Sequence, residues 1–121
     1  FMGALHRLTL GERGRHDKTP NDSSSMAHIH DVADLFMAAY ENPDASGRYY
    51  AVYDSWHWQD IYDVLTPLMP EMVTPEPWTG DKATPTGFDF TRRDSLGVNM
   101  RDIPMALTET VRWLQGHPFA T

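Results

Sequence analysis

One segment constrains this chain more than any other. Behind Asp31, whose carboxylate can accept the first N–H groups of a helix, Val32, Leu35, Phe36, Ala39 and Tyr40 fall on one helical face. Asn42-Pro43 and Gly47 stop that helix. Residues 48–53 follow at once, rich in Tyr and Val, and read as a strand with one buried side. Asp54 or Ser55 then stands where a helix cap belongs. The next apolar face is Trp58, Ile61, Tyr62, Leu65 and Leu68, closed between Pro67 and Pro70. Helix, strand and helix in that order predict an α/β layer onto which the remaining segments must pack.

On the amino-terminal side, Phe1, Ala4, Leu5 and Leu8 recur at helical spacing, with Gly11 and Gly14 as the stop. Residues 12–25 have no periodicity and read as a solvated loop, and residues 26–30 as a brief strand leading to Asp31. Prolines and glycines make residues 72–87 irregular, with one short extended piece near Val73. Alternation predicts a short strand at residues 88–90, and residues 92–96 a single helical turn ended by Gly97. The last helix starts near Asp102 and tolerates Pro104 in its first turn. It carries Ile103, Leu107, Thr110, Val111 and Leu114 on one face before Gly116 and Pro118. These segments make a small α/β domain of about four helices with a few short strands, a single unit over residues 1–121. A chain of 121 residues buries about two thirds of its unfolded surface, enough for one core.

Charge and composition remove several functions. The formal charge is -7 and no run of Lys or Arg offers a patch for phosphates, so nucleic acid is not an expected partner. Without cysteine there is no disulfide and no thiolate, which fits a cytoplasmic setting. No apolar stretch approaches the roughly 20 residues that span a bilayer, so no membrane association is expected. Phe1 stands ahead of Met2, and because translation does not start at Phe, further residues are expected before it.

Three constellations hold letters that chemistry uses. His28, His30 and Asp31 would place two imidazoles on one strand face beside a carboxylate, with His6, His16 or His57 as a further ligand. Two histidines ahead of a capped helix are more often hydrogen-bonded structural residues, so no metal site is assigned. Trp56, His57 and Trp58 have the rings to stack a planar ligand, but Trp58 belongs to the apolar stripe of its helix. Asp22, Ser23 to Ser25 and His28 contain the letters of a nucleophile set without an oxyanion hole or a nucleophile elbow.

Local words in this order resemble a known family. Ala27-His28-Ile29-His30-Asp31-Val32-Ala33 is similar to the V-H-V-D-D-V-A segment of extended short-chain dehydrogenases/reductases, the NAD-dependent epimerase/dehydratase family. Residues 38–50, through Glu41-Asn42-Pro43 to Gly47-Arg48-Tyr49-Tyr50, continue in the same style. Ser95-Leu96-Gly97 and the final amphipathic helix fall at the matching places. The branch it looks like is that of dihydroflavonol and cinnamoyl-CoA reductases. The likeness covers nearly the whole chain, with His30 as a departure where the family has Asp.

The resemblance implies the carboxyl-terminal, substrate-binding part of an extended Rossmann-type reductase. The family's dinucleotide-binding domain needs a Gly-rich turn after a strand, and its chemistry a Tyr-x-x-x-Lys pair. Neither is present: Gly11 and Gly14 follow a helix, and four residues before Lys18 and Lys82 stand Gly14 and Trp78. No catalytic and no cofactor-binding residue is therefore assigned, and NAD or NADP belongs to the full-length family. Expected partners are a small-molecule substrate and either a Rossmann domain or a second copy over an exposed apolar surface. Phe1, Met2 and Leu5 are the substrate-lining candidates, with core packing as the competing reading. A stand-alone ligand-binding or interaction module without enzymatic activity is the alternative function.

Overall fold

Three helices enclose the core of the computed structural model, which describes residues 1–117. They are α1 (Met2–Thr9), α3 (Trp58–Leu68) and α5 (Ile103–Gly116), taken in a chain order that also contains α2 (Ile29–Glu41) and α4 (Thr91–Asp94). Leu5 and Leu8, Ile61 and Leu65, and Ile103, Leu107, Val111 and Leu114 meet between them, with Met69 and Met72 closing one end. These residues sit three or four apart, so each helix turns one continuous stripe inward. Asp102 caps α5 by accepting from the Met105 N–H at 2.9 Å, and Pro104 lies in the first turn where its missing N–H costs nothing. Pro118, the second half of the expected stop, lies outside the described residues.

Two short strands form an antiparallel pair, β1 (Ser23–Met26) with β2 (Asp54–His57), in a register that opposes Ser23 to His57 and Met26 to Asp54. Both differ in place from the sequence reading. The brief strand expected at residues 26–30 ends at Met26, and the strand expected at residues 48–53 begins only at Asp54. Residues 48–53 meet β1 at Tyr53, whose N–H donates to the Met26 oxygen at 2.8 Å, and arginine side chains take several of their carbonyls. Arg93 Nη1 donates to the Val52 and Tyr53 oxygens at 2.6 and 2.8 Å, and Arg92 Nε donates to the Arg48 oxygen. Residues 88–90 are not a strand either. Phe88 packs on Tyr50 and Phe90, and the Arg93 guanidinium lies 3.6 Å over the Phe90 ring.

The caps of α2 and α3 also differ from expectation. His28, not Asp31, caps α2: its Nδ1 accepts the His30 N–H at 3.1 Å. His57, not Asp54 or Ser55, caps α3, with Nδ1 accepting from the Gln59 N–H at 3.0 Å. Ser55 is engaged across the strands with Ser25 at 2.7 Å. Asp31, the third residue of its helix and without exposed surface, is held by Arg101 seventy residues on. The stripe of α2 is covered only in part. Leu35 is buried, but Ile29, Phe36 and Tyr40 are 72%, 71% and 87% exposed, which leaves one long apolar ridge facing solvent.

The core edge holds one group whose charge state bears on stability. The Tyr62 hydroxyl and His16 Nδ1 lie 2.7 Å apart. Burial, assisted by Arg15, lowers the His16 pKa from the ordinary 6.5, and burial raises that of Tyr62. The folded chain therefore holds this proton less tightly than the unfolded chain. Its stability is undiminished above pH 6.5 and declines as the pH falls through and below that value. Urea unfolding of the wild type and His16→Gln at a series of pH values should show the wild-type advantage shrinking toward acid. A difference that stays constant with pH would refute the assignment.

Candidate functional site

A groove runs along the seam between the start of α1, the turn from β1 to α2, and one face of α5. It consists of two adjoining hollows of about 450 and 410 Å³ that share Met2, His28, Ile29 and Thr110. Met26 and Leu107 form the apolar floor of the first, and Trp113 closes the second. The segments meet here for local reasons. β1 ends at Met26, His28 turns the chain into α2, and α5 presents Ala106, Glu109, Thr110 and Trp113 next to its buried stripe.

His28 supplies the polar base of the groove, and its hydrogen bonds fix its tautomer. Nδ1 accepts from the His30 backbone, so the proton of the neutral ring sits on Nε2, which donates to Glu109 Oε2. The His28 side chain is 9% exposed while that of Glu109 is 51% exposed, so the carboxylate lies at the mouth and the imidazole beneath it. Thr110 Oγ1 donates to the Ala106 carbonyl at 2.8 Å, leaving its lone pairs free to accept.

The expected substrate-lining residues divide. Phe1 and Met2 are about half exposed and line the groove. Leu5 is 1% exposed and belongs to the core with Leu8, Trp58 and Leu65. The His28, His30 and Asp31 set is not assembled as a ligand cluster. Both ring nitrogens of His28 are engaged, both Asp31 oxygens face Arg101, and His30 is exposed on the helix. Among the described residues no group of three His, Cys, Asp or Glu side chains could hold a metal ion. Trp58 is a core residue packed by His16 and Tyr62, with ring centroids 4.7 and 5.8 Å away, and His57 is buried at the head of α3. Among the described residues no serine hydrogen-bonds His28: Ser25 bonds Ser55, and Ser23 Oγ accepts from the Thr86 N–H. Glu109 escaped the sequence reading because nothing in spacing connects residues 28 and 109, and Thr110 was read only as part of the inward face of its helix.

The residues present do not fit a dinucleotide. A pyrophosphate needs a glycine turn running from a strand into a helix start. Gly11, with φ of 75°, closes α1 instead, and a Cβ at Gly14 would lie 2.9 Å from the Leu8 side chain. The strand-to-helix junction before α2 carries Ala27-His28 and that before α3 carries His57.

No family model matches the chain. Curated relatives do. The cinnamoyl-CoA reductase CAD2 of Medicago truncatula is 31% identical over 103 residues, which is 84% of this chain and 32% of that protein. Cinnamoyl-CoA reductase 1 of Petunia hybrida is 30% identical over 80% of this chain and 31% of its own length. Cinnamoyl-CoA reductase 2 of Arabidopsis thaliana is 32% identical over 74% of this chain and 28% of its own length. The chain thus spans about a third of the length of the curated relatives it matches. Among the described residues no helix is long and apolar enough to cross a membrane.

Proposed function

We propose, from the premise that this chain is a homologue of cinnamoyl-CoA reductases, that it forms the substrate-side part of an NAD(P)-dependent oxidoreductase whose hydride chemistry resides in residues outside this sequence. The observation that carries the reading is the pairing of a partial match with an uncovered ridge. The likeness extends over a third of a reductase, and Ile29, Phe36 and Tyr40 stand in line on α2, each largely exposed. A helix that is apolar on a face open to water asks for a neighbour. A nucleotide-binding domain laid on that ridge would bury it and would bring a cofactor toward the groove that Phe1 and Met2 line. This chain would then contribute shape and polarity to the substrate pocket, and no proton or hydride.

The coding DNA upstream of Phe1, read in the same frame, tests the reading. A Gly-rich turn followed by a Tyr-x-x-x-Lys pair is the expected finding. A stop codon directly ahead would sink it and leave a stand-alone binding module. The ridge gives a second check on the chain by itself. Sedimentation velocity should show the 121-residue chain self-associating with rising concentration. Phe36→Glu should return it to the monomer, because a charge at the centre of the ridge opposes burial. Equal behaviour of the two proteins would remove the ridge as a contact surface.

A further inference from the structure

We propose that the groove between α1 and α5 is a binding site for a small organic cation, an ammonium head on an aromatic or apolar body. Its walls are apolar: Phe1, Met2, Met26, Ile29, Leu107 and Trp113 offer rings and methyl groups along its length. Its polar equipment is one-sided. The Glu109 carboxylate uses Oε2 on His28 and has no bonded partner on Oε1 among the described residues. Thr110 has acceptor lone pairs to offer, since its proton is committed to Ala106. His28 cannot offer a second donor, because Nδ1 is taken up by the helix cap.

No Lys or Arg lines either hollow; the basic groups beside it are the imidazoles of His28 and His30 and the amino group of Phe1. The chain as a whole carries -7, which favours the approach of a cation over that of an anion. Ammonium is the head that answers these features. It donates to the free carboxylate oxygen and to the threonine hydroxyl, and a charge-assisted bond in a half-enclosed groove is stronger than a neutral one. The aromatic body gains the apolar floor and the exposed edges of Phe1 and Trp113. The groove is the one that the proposed function makes part of a substrate pocket, so the assignment rests on that reading for its setting, while amine binding by the chain alone tests it separately from the upstream sequence.

Isothermal titration of the 121-residue chain at about pH 8, where imidazoles are neutral and alkylamines charged, tests it with two probes that share a phenethyl body and differ in the charged head. Phenethylamine should bind about ten-fold more tightly than 3-phenylpropionate, the difference that one ionic hydrogen bond confers. Glu109→Gln keeps an acceptor for His28 and should erase that preference while circular dichroism stays unchanged. Ala106→Leu fills the first hollow one helical turn before Glu109 without adding charge, and it should weaken the amine several-fold while the preference for charge survives. Equal binding of the two probes, no binding of the amine, or a preference that persists in Glu109→Gln would each overturn the proposal.

Discussion

Asp31→Ala is expected to lower the unfolding free energy by about 3 kcal/mol, the order seen when one partner of a buried ion pair is removed. The carboxylate has no exposed surface. Its Oδ2 accepts the Arg101 backbone N–H at 2.7 Å and its Oδ1 accepts from Arg101 Nη1 at 2.5 Å. Two separate pieces of chain depend on that clamp: the first turn of α2, and the segment that delivers Asp102 to cap α5. Removing the carboxylate strands a backbone donor and opens a small void, while the guanidinium, one third exposed, recovers some solvation. The loss therefore lies below the upper end for fully enclosed pairs. Asp31→Asn retains shape and an acceptor, and is expected to lose less. Urea unfolding of the three proteins measures the order, and an Asp31→Ala midpoint equal to the wild type would show the clamp to be dispensable.

The same residue shows where the sequence was legible and where it was not. Asp31 stands at the position and with the chemistry of a cap, and local reasoning assigned it that role. The cap is His28, because an Arg seventy residues away competes for the carboxylate and spacing carries no trace of that. Local signals sufficed where an element's own residues decide it. α5 begins at Ile103 behind Asp102, with Leu107, Val111 and Leu114 inward, as the stripe predicts. They failed over residues 48–52, whose aromatic and β-branched content suits a strand, but strands exist in pairs, and the neighbours supplied there are Arg92 and Arg93. For the groove, the family resemblance brought Phe1, Met2 and Leu5 forward together, as residues at the start of the first helix. Only tertiary packing could send Leu5 inward to 1% exposure and leave the first two at the rim. Glu109 had no signal of its own, being one acidic residue on a polar helix face.

Leu107→Ala is expected to cost about 3 kcal/mol as well, by a different route. The side chain is 2% exposed on α5, joined to the core cluster on one side and part of the groove floor on the other. Deleting it forfeits transfer energy and leaves a cavity, which for buried leucines costs about 2–5 kcal/mol depending on how far the surroundings relax. Met105, two residues earlier on the same helix and 49% exposed, is the internal control: Met105→Ala should change stability by about 0.5 kcal/mol or less. A domain of this size holds about 5–15 kcal/mol in all, so Leu107→Ala should still fold while its urea midpoint drops well below that of Met105→Ala. Because Leu107 is shared, the helix packing that stabilises the chain is also what gives the groove its floor. Phenethylamine binding should therefore weaken in Leu107→Ala even under conditions where circular dichroism shows the helices intact. Equal midpoints for the two variants would mean that α5 is not held to the core as described, and unchanged amine binding would separate the groove from that core.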